Sequence, residues 1–305
     1  MQARTLLQFL AVVLFWGTSW IAIKQELGVT DPAWSVTFRF TIAGLALLGW
    51  CRLRRLPLAI PRHSWPFLLA VGFFQFALNF NFVYAAEQYV PSAIPAVAFA
   101  VLMVPNALLA RIFLNKRVTK RFLFGSVLGI TGVLMLFAQQ VEVGADRATT
   151  LLGLTLVLAA VLSSSIVNVM QATPRATSFP PLPGLAWSML VGAAMDAAFS
   201  LLSSGPPRLD PDPAYWIALA HLSLLAGAVG FASYFDLIRR IGPAEAAWTS
   251  VVIPMLAMVI STLFEDFQWT ATGVAGCLLA LVGLATALAR PRPGRTDPPV
   301  LLPSR

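Results

Sequence analysis

The sequence predicts an all-α integral membrane protein with ten transmembrane helices in two inverted five-helix repeats, and with the N- and C-termini in the cytoplasm. The prediction rests on composition, on ten long apolar segments and on the distribution of basic residues. Of the 305 residues, 58% are hydrophobic and 11% are charged, whereas soluble domains are about 25% charged. A soluble fold of this size cannot bury that much apolar side chain, so soluble, disordered and disulfide-stapled secreted classes are excluded.

Ten apolar segments are each about 20 residues long, the length with which a helix crosses the hydrocarbon layer of a bilayer. They occupy residues 5–24, 34–51, 65–86, 92–113, 121–138, 150–171, 182–203, 215–236, 245–264 and 270–289. The first segment is too long for the apolar core of a signal peptide and no small-residue cleavage site follows it, so we expect a retained helix.

The basic residues indicate the orientation of these helices. With the N-terminus in the cytoplasm, 17 of the 21 Lys and Arg residues fall on the cytoplasmic side and 3 fall outside. Arg39 lies within the second segment. This asymmetry follows the positive-inside rule, and it explains the net charge of +8 as a feature of membrane insertion.

Small residues of the fifth segment recur in the tenth at an offset of 151 positions. They are Gly125, Gly129 and Gly132, followed by Gly276, Ala280 and Gly283. Because each half holds an odd number of helices, the second must enter the bilayer from the opposite side. We expect a first repeat over 1–145, a second over 146–289 and a cytoplasmic Pro/Arg-rich tail over 290–305. The small residues predict close packing within or between the halves, with a dimer interface as the alternative.

Neutral polar side chains inside the segments are the first candidates for substrate binding. Gln75, Asn79 and Phe82 have the spacing of one helix face in the third segment, and Ser164 and Asn168 share a face of the sixth. Amides both donate and accept hydrogen bonds, which suits the backbone of a zwitterionic amino acid. The alternative is hydrogen bonding between helices alone.

Aromatic residues in five segments provide a candidate wall for the same cavity. Such a wall would hold apolar side chains, or a cation through cation–π attraction. The candidates are Trp16, Trp20, Tyr84, Phe99, Tyr234 and Trp248.

Prolines interrupt corresponding helices of the two halves. Pro95 and Pro105 lie in the fourth segment and Pro254 lies in the ninth. Because proline removes an intrahelical hydrogen bond, both helices are expected to bend, either as gates or as a static feature of the shape.

Two charged residues lie well inside the segments, where charge is costly unless it is paired. Arg39 is expected to pair with an acid such as Glu26 or Glu87, or to bind a substrate carboxylate. Asp196 is either a protonatable coupling residue or a structural acid that is paired or faces water.

Several short motifs resemble the drug/metabolite transporter superfamily, specifically its EamA-type members. They are Trp16-Gly17-Thr18-Ser19, Arg39-Phe40, the run 85–91, the run 234–243, Pro254, Phe264-Glu265 and the glycines at 273, 276 and 283. The first half lacks the acid that Glu265 supplies in the second, because it reads Leu114-Asn115-Lys116. The resemblance implies an exporter of small metabolites, commonly amino acids, that works as a single chain around a central cavity.

Together these observations predict a secondary transporter of the bacterial inner membrane that exports neutral or aromatic amino acids by alternating access. Export of hydrophobic cationic drugs is the alternative, and a channel is favoured less because no filter repeat is visible. We expect no enzyme, metal or cofactor, because no nucleophile, base or metal-ligand set converges and no P-loop is present. The expected partners are a small substrate and the bilayer, without nucleic acid. We expect a monomer, with a dimer as the alternative.

Overall fold

The computed structural model describes residues 3–115, 119–241 and 249–288, and these residues form helices without a strand. Eight of the helices in this part of the chain are long and apolar enough to cross a membrane. They are α1 (Thr5–Gln25), α2 (Pro32–Leu53), α3 (Arg62–Glu87), α4 (Ala93–Leu114), α5 (Lys120–Glu142), α6 (Arg147–Gln171), α7 (Pro181–Ser203) and α8 (Pro213–Tyr234). Two shorter apolar helices follow, α9 (Thr249–Phe264) and α10 (Ala271–Ala287). The chain is therefore a multi-pass membrane protein.

Side-chain caps set the starting points of four of these helices. The oxygen of each capping residue accepts a hydrogen bond from a backbone N–H of the first turn, which has no partner within the helix. The capping residues are Asp31 before α2, Thr119 before α5, Asp146 before α6 and Asp212 before α8.

Four helices depart from regular α geometry near their middles. The first turn-like break lies at Thr18 in α1, whose hydroxyl donates to the carbonyl oxygen of Leu14 at 2.7 Å. A π-helical segment spans Gly72–Leu78 in α3, and a second spans His221–Gly230 in α8. A 3₁₀ turn covers Phe99–Leu102 in α4. Such segments leave backbone groups outside the regular ladder and often mark functional sites.

Helices α5 and α10 pack backbone against backbone through the glycines that recur at an offset of 151. A Cβ atom added to Gly125 would lie 2.6 Å from the carbonyl oxygen of Gly283, and one added to Gly276 would lie 2.7 Å from that of Gly132. The close packing predicted from the small residues is confirmed, and it joins the two halves within one chain.

The remaining contacts follow a paired pattern. Helix α2 packs against α7, α3 against α6 and α1 against α8. Apolar residues form two clusters, one centred on Phe40 of α2 and Met189 of α7, the other on Val97 of α4 and Leu136 of α5. Phe99 packs against both clusters. The middle of α4 therefore lies between them.

Candidate functional site

Two of the predicted polar residues meet at the interface of α3 and α6. The Ser164 hydroxyl donates to Oε1 of Gln75 at 3.2 Å. Further along α6, Nδ2 of Asn168 donates to Oδ1 of Asn106 in α4 at 3.4 Å. Ser164 is buried and Asn168 is exposed. Helix α6 thus makes one polar side-chain contact with α3 and another with α4.

The π-helical segment changes the face on which the polar residues of α3 lie. Gln75 is inside this segment and Asn79 directly follows it. The four-residue spacing that predicted a common face for them assumes a regular α-helix and does not apply there. Asn79 is buried, and its Oδ1 has no hydrogen-bond partner in the described part of the chain. Phe82 packs against the cluster around Phe40.

The aromatic candidates gather around the break in α1. The ring of Trp16 lies 5.2 Å from that of Phe231 and 4.9 Å from that of Tyr234. Its indole N–H donates to the carbonyl oxygen of Ala226, inside the π-helical segment of α8, at 3.0 Å. Trp20 lies 5.4 Å from Phe99, at the 3₁₀ turn of α4. Trp248, the remaining aromatic candidate, lies outside the described residues.

The prolines flank the irregular part of α4. Pro95 precedes and Pro105 follows the 3₁₀ turn, whereas Pro254 is buried inside α9. The stretch Met103–Leu114 of α4 contains no buried residue. One half of α4 is therefore packed in the bundle and the other half is loosely covered.

Asp196 lies between α7 and α3. Its Oδ1 accepts a hydrogen bond from Nδ2 of Asn81 at 2.6 Å. Its Oδ2 and the hydroxyl of Ser200, one turn further along α7, are buried without a hydrogen-bond partner among the described residues. Asn81, which the sequence did not single out, thus holds one oxygen of the acid, and the other oxygen is open to a further donor.

Arg39 forms a hydrogen bond with a tyrosine, whereas the sequence predicted that it pairs with an acid. Its Nη1 donates to the Tyr84 hydroxyl at 3.4 Å, and this hydroxyl donates to Oε2 of Glu26 at 2.6 Å. The guanidinium also lies 4.5 Å from the ring centre of Phe80. Tyr84 therefore stands between the two charges, as part of a polar bridge between α1, α2 and α3.

Further charged groups complete this bridge at the same end of the bundle. Lys24 donates to the backbone carbonyl of Glu87. Glu265, directly after α9, accepts hydrogen bonds from the Ser92 hydroxyl at 2.5 Å and from the Ser92 N–H at 3.3 Å. We call this group the end cluster. Its members are Lys24, Glu26, Arg39, Tyr84, Glu87, Ser92 and Glu265.

Two acids of the end cluster, Glu26 and Glu87, are buried away from water. Glu26 directly follows α1 and is fully buried. Burial raises its pKa from 4.5 to about 7, although the hydrogen bond from Tyr84 and the charge of Arg39 oppose this shift. Glu87 is also fully buried, and neither of its carboxyl oxygens has a hydrogen-bond partner in the described ranges.

Sequence reasoning missed two contributions to this region. It did not include His221 among the candidate site residues, although the Nε2 atom of this histidine lies 3.0 Å from the Thr18 hydroxyl at the break in α1. It treated Glu265 as a family feature without a partner. A signal was present in the sequence, because Thr18 and Glu265 both belong to the short motifs that carry the family resemblance.

A crevice of about 480 Å³ lies elsewhere, between the ends of α5 and α6. Phe137, Glu142, Arg147 and Leu154 are among the residues that line it. The predicted site residues do not line it.

Residues 3–138 and 151–289 each match the family described as the EamA-like transporter family. The two matches together cover nearly the whole chain. They divide it close to the boundary that the glycine offset predicts.

Curated relatives match over most of their own length. An uncharacterized transporter in the trpA 3' region of Buchnera aphidicola subsp. Schlechtendalia chinensis is 28% identical over 269 residues, which is 87% of this chain and 84% of that protein. Protein PagO of Salmonella typhimurium is 24% identical, over 85% of this chain and 83% of that protein. The uncharacterized inner membrane transporter YedA of Escherichia coli (strain K12) is 26% identical, over 93% of this chain and 92% of that protein.

A solved crystal structure shares the fold. It superposes with a TM-score of 0.68 at 18% sequence identity, over 94% of this chain and 98% of the other.

Proposed function

Because this chain belongs to the EamA-like transporter family and is therefore a membrane transporter, we propose that it is a secondary transporter that exports small metabolites, in particular neutral and aromatic amino acids. Transport proceeds by alternating access through a central cavity between the two halves. The proposal extends the family assignment to a substrate class and a direction.

One observation carries the proposal: irregular segments of four helices surround the candidate polar and aromatic residues. The break in α1, the π-helical segments of α3 and α8 and the 3₁₀ turn of α4 lie beside Trp16, Gln75 and Phe99. In transporters, interrupted helices typically form substrate sites near the bilayer midplane. The end cluster lies on one side of this region and the loosely covered half of α4 on the other, which supports a cavity closed at one end.

The chemistry of the candidates favours amino acids as substrates. Gln75, Asn79 and Asn168 offer both donors and acceptors to an ammonium and a carboxylate group. Trp16, Trp20 and Tyr234 offer an apolar wall for a side chain. These residues are neutral, which suits a substrate without net charge.

Two inverted five-helix repeats, over 1–145 and 146–289, belong to the same proposal. The π-helical segments lie in α3 and α8, five helices apart. Left-handed backbone at Asn115 and at Asp266 ends α4 and α9 at the same offset of 151 as the glycines. The contacts between helices agree with the repeat. If each helix is replaced by the helix five positions away, the contacting pairs α2–α7 and α5–α10 stay the same. The contacting pair α3–α6 becomes α8–α1, which is also in contact. These three correspondences support the repeat.

The proposed setting is the inner membrane of a bacterium, with both termini and the 290–305 tail in the cytoplasm. The distribution of basic residues supports this orientation, and YedA is described as an inner membrane transporter. The end cluster then lies at the outer end. Packing of the glycine faces of α5 and α10 within the chain supports a monomer.

Export of hydrophobic cations is the second candidate function. The open Oδ2 atom of Asp196 favours it, since a carboxylate without a full set of donors attracts a cation. Against it, Asp196 already accepts a hydrogen bond from Asn81 at the α3–α7 interface.

A thermal-shift screen of the purified protein tests the substrate class, because a ligand that binds the folded state raises the melting temperature. We expect phenylalanine and other neutral amino acids to raise it, and tetraphenylphosphonium not to. Ser164→Ala should reduce the shift, because it removes the donor to Gln75. Ser203→Ala, on the exposed end of α7, is the matched control. A shift with tetraphenylphosphonium alone would favour the second candidate.

A further inference from the structure

The end cluster contains more acid than base. We propose that it is a proton-binding site that holds this end of the bundle closed, with the proton carried by the carboxyl group of Glu87. The ligand is a proton taken up from water, which converts one carboxylate into a neutral carboxylic acid. The inference rests on the carrier function proposed above and names its coupling site.

The charge balance of the cluster is the first argument. Three carboxyl groups, of Glu26, Glu87 and Glu265, face two cations, Lys24 and Arg39. With every group ionised, the cluster has a net charge of −1. Glu26 and Glu87 are fully buried and Arg39 is 3% exposed. Because an uncompensated charge is very unfavourable in such surroundings, one bound proton stabilises the closed arrangement.

The hydrogen bonds identify which acid holds the proton. Glu26 accepts from the Tyr84 hydroxyl, and Glu265 accepts two hydrogen bonds from Ser92. These hydrogen bonds favour the anionic form of Glu26 and of Glu265 over that of a buried carboxyl group without a donor. Glu87 receives no donor from the described residues. Lys24 lies beside it but donates to its backbone carbonyl instead of its side chain.

Charged and titratable groups reach this region from every element that packs against it. They are Lys24 and Glu26 of the α1 end, Arg39 of α2, Tyr84 of α3, Tyr215 and His221 of α8, and Glu265 after α9. The ammonium group of Lys24 disfavours a metal cation at the Glu87 carboxyl group. A proton meets no such repulsion, because the product is a neutral group.

Closure depends on this proton because the cluster joins α1, α2, α3, α4 and the end of α9. Loss of the proton leaves an unpaired buried anion, which only the entry of water can solvate. The open fraction therefore rises with pH. For one linked proton, the ratio of open to closed molecules changes by up to about tenfold per pH unit.

The test measures the width of this end without any substrate. Nitroxide labels are placed on the exposed positions Val29 and Gln268, in the α1–α2 and α9–α10 connectors, of full-length protein in lipid nanodiscs. Cys51 and Cys277 are replaced by Ala. Distance distributions are recorded between pH 5 and pH 9 at constant Na⁺, and then at pH 7 with varied Na⁺.

We expect a longer distance to gain population as the pH rises in the otherwise unchanged protein. Glu87→Gln, which is neutral at every pH, should keep the short distance throughout. Glu142→Gln, an exposed glutamate at the same end, is the matched control and should retain the pH response. Glu26→Gln should retain a weaker response, because Glu87 can still titrate but one of the three negative charges is removed.

Three results would overturn the proposal. They are a distribution that does not change with pH, a pH response that persists in Glu87→Gln, and a response to Na⁺ in place of pH. A response lost in Glu26→Gln but kept in Glu87→Gln would assign the proton to Glu26 and reject Glu87. Because no substrate is present, failure of this test is distinct from failure of the carrier function, which transport itself measures.

Discussion

At the residue scale, the most consequential contact is the hydroxyl of Tyr84 between Arg39 and Glu26. Tyr84 is fully buried, as are the charged groups beside it. A buried charge that loses its hydrogen-bond partner keeps the full cost of desolvation. The link between Arg39 and Glu26 therefore depends on one phenolic oxygen.

Tyr84→Phe is expected to destabilise the protein by about 2 kcal/mol, since it leaves a buried donor and a buried acceptor unsatisfied. Thermal unfolding in detergent measures the effect as a lower melting temperature. Tyr89→Phe, at an exposed position, is the control and should be neutral. Equal melting temperatures for both variants would show that the bridge does not stabilise the closed end.

The raised pKa of Glu26 predicts the sign with which the stability of the protein depends on pH. Its pKa in the folded protein is about 7, compared with an ordinary value of 4.5. Between these values the folded state binds more protons than the unfolded state, so stability falls as the pH rises through this window. Below pH 4.5 and above pH 7 the contribution of Glu26 is constant.

Melting temperatures between pH 4.5 and pH 8 test this sign. We expect a decrease, on the order of 5 °C, that is smaller in Glu26→Gln, whereas Glu142→Gln should follow the parent protein. An equally steep decrease in Glu26→Gln would assign the pH dependence to another group.

At the scale of single elements, α5 and α10 show how small residues determine helix packing. Hydrophobic burial does not drive helices together inside a bilayer, so close backbone approach and dispersion contacts carry the association. Gly125 and Gly276 allow that approach because neither has a Cβ atom. The pattern is local in sequence, which is why it could be predicted without the structure.

Gly276→Ala should destabilise the protein by roughly 1–3 kcal/mol, because the new methyl group forces the two backbones apart. Gly49→Ala is the control, since a Cβ atom there meets open space and alanine favours a helix. Chemical or thermal unfolding compares the two. Equal stability of the two variants would mean that α5 and α10 can move apart without a loss of free energy of unfolding.

At the scale of the whole molecule, the chain length, the apolar segments and the recurring motifs were sufficient to predict a helical membrane protein of this family. The π-helical segments of α3 and α8 were not predicted, because neither contains a proline that would mark an interruption. Trp16, distant in sequence, binds a carbonyl of one of them. The bridge through Tyr84 was missed because it joins three helices, and only the fold gives their relative positions.

The central claim is that the chain is a carrier with an alternately exposed site, and counterflow in proteoliposomes tests it most directly. Liposomes loaded with unlabelled phenylalanine should take up external labelled phenylalanine transiently, at a rate that saturates with concentration. Asn79→Ala should reduce this uptake strongly at equal folded yield, because it removes a buried amide whose oxygen is free for a ligand. Uptake that rises linearly with concentration, without stimulation by internal phenylalanine and with single-channel currents, would contradict the account.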